Sequence, residues 1–151
     1  MTREPFDTVI RGGTVATASD TFAADIGIRG ETIAAIGLDL PAGREEIDAG
    51  GRLVLPGGID AHAHIEQLSA AGIMNSDTWE SATASAALGG TTSVIAFAAQ
   101  HVGLDLANVA SDYAALAERG AIIDYAFHHA PQRQGHAVRI GLALDPERTF
   151  L

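Results

Sequence analysis

Leu53-Val54-Leu55-Pro56-Gly57-Gly58-Ile59-Asp60-Ala61-His62-Ala63-His64-Ile65-Glu66 is the stretch from which the rest of the chain is read. An apolar run, a proline–glycine break, an acid and two histidines follow one another. Side chains alternate between the faces of a strand, so His62 and His64 project from the same face. Two imidazoles on one rigid strand can reach one ion, and Zn²⁺ is a metal that favours such ligands. A bare His-x-His pair also arises by chance with no metal role. Here the pair follows residues 53–55, which read as a buried strand, and so stands at that strand's carboxyl end. In sheets and barrels of parallel strands, sites are built at that end.

Downstream, residues 69–76 read as a loop. Asp77 is placed to cap a helix, with Glu80 three residues on as in a capping box. The helix runs through alanines to Leu88, and Gly89-Gly90 supplies a left-handed stop. Residues 91–98 are β-branched and apolar, which predicts a second buried strand. Leu106, Val109, Tyr113 and Leu116 recur at helical spacing, and Gly120 ends that helix. Residues 121–128 read as a third strand. Strand, helix, strand, helix, strand predicts repeated right-handed parallel units.

Upstream, residues 6–50 read as short strands. Gly12-Gly13 between two β-prone runs predicts a hairpin. A second strand pair is predicted around Arg29-Gly30-Glu31, with a weak strand at residues 46–49. No chemistry is visible there. Beyond residue 128 the texture turns polar, with a short strand predicted within residues 138–144.

The chain has 151 residues and 47% hydrophobic content, enough for a packed core. A complete (β/α)₈ barrel needs about 250 residues, so this chain is a smaller fold or part of a larger one. A net charge of −10 argues against nucleic acid or an anionic membrane surface as partner. There are no cysteines, hence no disulfide framework. No signal peptide and no run near the roughly 18 apolar residues of a membrane span is visible, so a cytoplasmic location is the default expectation. All nine basic residues are arginine.

Residues 56–64 resemble the first-strand signature of the amidohydrolase superfamily. Ile65-Glu66-Gln67-Leu68, Gly89-Gly90-Thr91-Thr92, Phe97-Ala98-Ala99-Gln100-His101 and Asp124-Tyr125-Ala126-Phe127-His128 narrow the resemblance to its hydantoinase/dihydropyrimidinase branch. The resemblance covers about residues 6–128. It implies an α/β fold: the N-terminal part of a β-sandwich in residues 1–52, then the first three β/α units of an incomplete (β/α)₈ TIM-like barrel in residues 53–128. Residues 129–151 form a divergent tail that matches nothing in that family.

The resemblance further implies a divalent metal, zinc first, in a binuclear centre that opens the ring of a small cyclic amide such as a dihydropyrimidine or hydantoin. His62 and His64 match the pair holding the more buried metal. Asp60, two residues earlier, matches an acid that supports the metal shell; a carboxylate satisfied by backbone amides is the plainer alternative. The other family parts are a carbamylated lysine, two further histidines and an aspartate acting as general acid/base. A chain without lysine cannot supply the first, so the catalytic residues are expected outside it. Two imidazoles also fall short of the three protein ligands usual for catalytic zinc.

His101 and His128, at strand ends, are weaker candidates for a metal role. Glu66 and Gln67 are candidates for contact with substrate or metal ligands, and His129 and His136 are weaker still. Trp79 and Tyr113 are read as packing residues. An inactive N-terminal fragment, its frame shifted or its gene truncated near residue 128, is the favoured expectation. A non-catalytic binding or scaffold protein and one half of a split hydrolase are the alternatives. Unpaired strand edges predict a homo-oligomer or an aggregation-prone fragment.

Overall fold

The computed structural model describes residues 6–69, 71–101, 103–130 and 142–143. The chain divides between Pro56 and Gly57 into two compact units.

The first unit is one five-stranded sheet. It contains β1 (Phe6–Ala16), β2 (Thr21–Arg29), β3 (Thr32–Gly37), β4 (Gly43–Asp48) and β5 (Leu53–Val54). β1 is central, antiparallel to β2 and parallel to both β4 and β5. The predicted hairpin at Gly12-Gly13 is instead a bulge within the continuous strand β1. From Ile10 to Gly13 that strand advances three residues while its partner advances two, from Ile26 to Ala24. Gly12 has φ +66°, and its N–H, out of the ladder, donates to the Asp25 carboxylate at 2.9 Å. Glycine permits both the turn and the extra twist of such a bulge. The chain does not reverse because residues on both sides of the glycines pair with β2. The second strand pair forms as expected, with β2 and β3 antiparallel around Gly30 at φ +55°. Val15, Ala24 and Ile26 bury one face of the sheet, with Ile10, Ile28 and Val54 packed against them, and Val9 is buried on the other face.

Residues 53–55 do not begin the histidine strand. Leu53 and Val54 pair with Thr14 and Val15 in the first sheet. Pro56 lacks the N–H a ladder needs, and the histidines belong to a new strand, β6 (Gly58–Ala63).

The second unit holds β6, α1 (Trp79–Leu88), β7 (Thr91–Ala99), α2 (Leu106–Gly120), β8 (Asp124–Ala130) and β9 (Leu142–Ala143). Strand order is β6-β7-β8-β9, the first three parallel and β9 antiparallel to β8. The alternation of strand and helix is therefore as predicted. Val94, Ala96 and Ala98 of β7 alternate into one buried cluster with Trp79 of α1, Val109 and Ala117 of α2, and Phe127 of β8. Phe97 lies between Ala96 and Ala98 in sequence, so its ring stands on the opposite face of β7. His128 pairs with Phe97 and shares that face.

The start of α1 is one residue later than predicted. Thr78, not Asp77, is the N-cap, and its box partner is Ser81, not Glu80. Asp77 accepts from the Ser81 hydroxyl at 2.9 Å instead. At the other end Gly89 is right-handed and Gly90, at φ +86°, takes the left-handed position. No helix among the described residues is long and apolar enough to cross a membrane.

Candidate metal centre

His62 and His64 extend from the end of β6 over the Phe97 ring. Their own ring centroids are 5.3 Å apart, and they stand 4.5 and 5.1 Å from that of Phe97. The His64 ring stacks on Phe97 with 15° between planes. A metal–nitrogen distance of about 2.0–2.1 Å puts two imidazoles at a tetrahedral ion with centroids about 5 Å apart. The observed separation of 5.3 Å is close to that span, so the spacing of the two rings suits a shared ion.

The His64 tautomer follows from its partner. Nδ1 lies 2.6 Å from Gln67 Oε1. An amide oxygen only accepts, so Nδ1 carries a proton, and in the neutral tautomer this leaves Nε2 as the nitrogen free to bind a metal. Gln67 is nearly buried and is itself fixed by Asn75: its N–H donates to Asn75 Oδ1 at 2.8 Å, and its carbonyl accepts from Asn75 N–H at 3.0 Å. Gln67 thus touches a candidate ligand from behind. Sequence reading did not single out Asn75 or the Phe97 ring. The alternation Ala96-Phe97-Ala98, one large side chain between two small ones, carried the signal for the latter.

Asp60 is exposed, and its carboxylate accepts from the backbone N–H of His62 at 3.0 Å. Strand pairing slips beside it: Asp60 to Ala63 advances three residues of β6 while Val94 to Ala96 advances two of β7. The slip breaks the simple alternation that would put Asp60 and His62 on one face.

The other candidates have different positions. Glu66, at φ +47°, turns its carboxylate to the start of α1 and accepts from Trp79 N–H at 3.2 Å. An acid there satisfies a free amide and meets the positive end of the helix. His101 follows β7, and its carbonyl accepts from Leu104 N–H at 3.1 Å. His128 aims Nε2 at the Ala61 carbonyl, 3.0 Å away. His129 lies in β8 opposite Ala98, and His136 is outside the described residues. Among the described residues, no group of three or more His, Cys, Asp or Glu side chains is placed to hold a metal ion. Among the described residues only His62 and His64 are left as a candidate donor pair, one short of the three protein ligands usual for catalytic zinc. Trp79 is fully buried between Tyr125 and Phe127, and Tyr113 packs against the same cluster.

Comparison with known proteins gives a consistent family. The chain is 40% identical over 122 residues to the D-hydantoinase of Ralstonia pickettii, covering 81% of this chain and 26% of that one. It is 42% identical over 90 residues to the allantoinase of Escherichia coli (strain K12 / DH10B), covering 60% and 19%. The crystal structure of dihydropyrimidinase from Brevibacillus agri NCHU1002 superposes with a TM-score of 0.77 at 45% identity, covering 81% of this chain and 26% of that one. The chain thus spans about a quarter of the length of the D-hydantoinases it matches. No family model matches it.

Proposed function

We propose that this chain, which over about 81% of its length belongs to the hydantoinase and dihydropyrimidinase family, carries the first ligand pair of a metal-dependent hydrolase that opens cyclic amides. The observation that carries the proposal is the His62/His64 pair, with ring centroids 5.3 Å apart and His64 Nδ1 anchored on Gln67. A bound divalent metal, zinc first, would lower the pKa of water enough to provide hydroxide near neutral pH and would polarise a carbonyl. His62 and His64 would hold it. Gln67 fixes the His64 ring and keeps its Nε2 available, and Phe97 gives both rings an apolar floor that limits their rotation.

In the same reading, β6, β7 and β8 are the first three strands of a (β/α)₈ barrel within residues 53–128, and residues 1–52 are part of a β-sandwich. The parallel order and the packing of both helices into one cluster support this. The chain has no lysine, so a bridging lysine has to come from another polypeptide segment. The two imidazoles alone do not hydrolyse an amide, and the isolated chain is proposed to be inactive.

The test is a chimera in which residues 6–128 replace the matching segment of the Ralstonia pickettii D-hydantoinase. The expected result is metal-dependent opening of hydantoin or dihydrouracil, abolished by H62A/H64A, with no turnover by the 151-residue chain alone. Turnover by the isolated chain, or a folded and metal-loaded chimera without activity, contradicts the proposal.

A further inference from the structure

The peptide group joining Ala61 to His62 is gripped at both ends by side chains. Its N–H donates to Asp60 Oδ1 at 3.0 Å. Its C=O accepts from Nε2 of His128, 67 positions away in sequence, at 3.0 Å. This peptide lies where the ladder between β6 and β7 is interrupted, between the Asp60–Val94 and Ala63–Ala96 pairs. A backbone group left out of a ladder has to find other partners, and here the partners come from two strands.

The His128 ring has one tautomer that suits this position. Nε2 donates to a carbonyl, so it carries the proton. Nδ1, the other ring nitrogen, is buried without a hydrogen-bond partner. The ring rests 5.0 Å from Phe97, the same ring that His64 stacks on and His62 touches. His128 thus reaches from β8 across the face of β7 to the backbone of β6.

We infer that His128 is a positioning residue: through the Ala61 carbonyl, with Asp60 on the N–H of the same peptide, it sets where His62 stands relative to His64. The inference rests on reading that pair as metal ligands. It assigns His128 neither a metal bond nor contact with substrate. A residue that holds a ligand from behind commonly matters by about 10–100-fold in metal affinity when it is lost.

Two substitutions separate positioning from packing. His128→Phe keeps a ring against Phe97 and removes the donor. His128→Gln keeps an N–H near the former Nε2. Zinc titration of the 151-residue chain is read beside amide hydrogen exchange at His62 and Trp79 in the metal-free protein. H128F is expected to weaken zinc binding about 10–100-fold and to speed exchange at His62 but not at Trp79, and H128Q to return affinity to within about threefold of wild type. Unchanged affinity and exchange in H128F, or equal losses in H128Q and H128F, overturns the inference. So does exchange in H128F that rises at His62 and Trp79 alike, because that marks a general loss of packing. If the wild-type chain takes no zinc, the metal proposal fails, and His62 exchange alone decides the grip on the peptide. If H128F does not fold, the ring nitrogen shifts of wild-type His128 decide: a protonated Nε2 supports the inference and a protonated Nδ1 overturns it.

Discussion

At Gly57 the chain has no room for a side chain. A Cβ there would stand 2.1 Å from Thr92 Oγ1 and 2.3 Å from its Cγ2. Gly57→Ala forces the backbone before β6 away from β7 and is expected to cost about 1–3 kcal/mol, read as a lower melting temperature. Thr92→Gly should recover part of that loss in the double variant. In the first unit, Arg11 pairs with Asp25 at 3.0 Å and with Glu46. The Asp25 carboxyl is held below its ordinary range, first by the Gly12 N–H and then by Arg11. A depressed folded-state pKa contributes stability that is complete above the unfolded value, about 3.9, and is lost as pH falls through the folded value. Denaturant unfolding should therefore show Asp25→Asn less stable than wild type at pH 7, with the gap closing as pH drops below 4. The Gly12-Gly13 pair and the His-x-His pair were visible as signals in the sequence. Their meaning was not equally visible, because a hairpin and a bulge use glycine alike and only the pairing of both flanks with β2 separates them.

The elements of the second unit were largely legible, because their apolar periods are unambiguous. Leu106, Val109, Tyr113 and Leu116 mark α2, and the β-branched run marks β7. The start of α1 differs by one residue from the sequence expectation because Asp77, Thr78 and Ser81 are all competent capping residues, and only the backbone geometry chooses among them. An apolar triplet does not name its partner, so sequence alone joins residues 53–55 to the histidine strand, and the break at Pro56 is the better guide. One tie between elements could not be read from sequence at all. Thr83, fully buried in α1, donates to the Trp79 carbonyl and accepts from Ile122 N–H at 3.1 Å, joining the helix to the approach to β8. Thr83→Val keeps the volume and removes both bonds. It should cost about 1–3 kcal/mol by leaving a part-buried N–H without that partner. Trp79→Ala, at a fully buried site, should cost about 3–5 kcal/mol and lower the melting temperature further.

Across the whole molecule, large apolar side chains are exposed on both units, among them Ile33, Ile36, Leu38, Leu53 and Leu55 on the first and Ile59, Ile73 and Met74 on the second. Among the described residues β6 is also an edge strand of its sheet. Exposed apolar side chains and an open edge favour association. Sedimentation at rising concentration should show self-association of the 151-residue chain, and a monomer across the range contradicts this. The overall class, α/β with parallel strands, was legible because each strand and helix repeats its own period. The candidate site was legible only in its ligand pair, since the side chains behind it (Gln67 on Asn75, His128 on Ala61) are brought together by folding rather than by spacing. Whether His62 and His64 share one ion is decided by calorimetric titration of the metal-free chain with zinc. Wild type should take up zinc through this pair, and H62A/H64A, which lacks both donors, should lose that uptake. No uptake by the wild-type chain, or equal uptake by the variant, would contradict a shared ion.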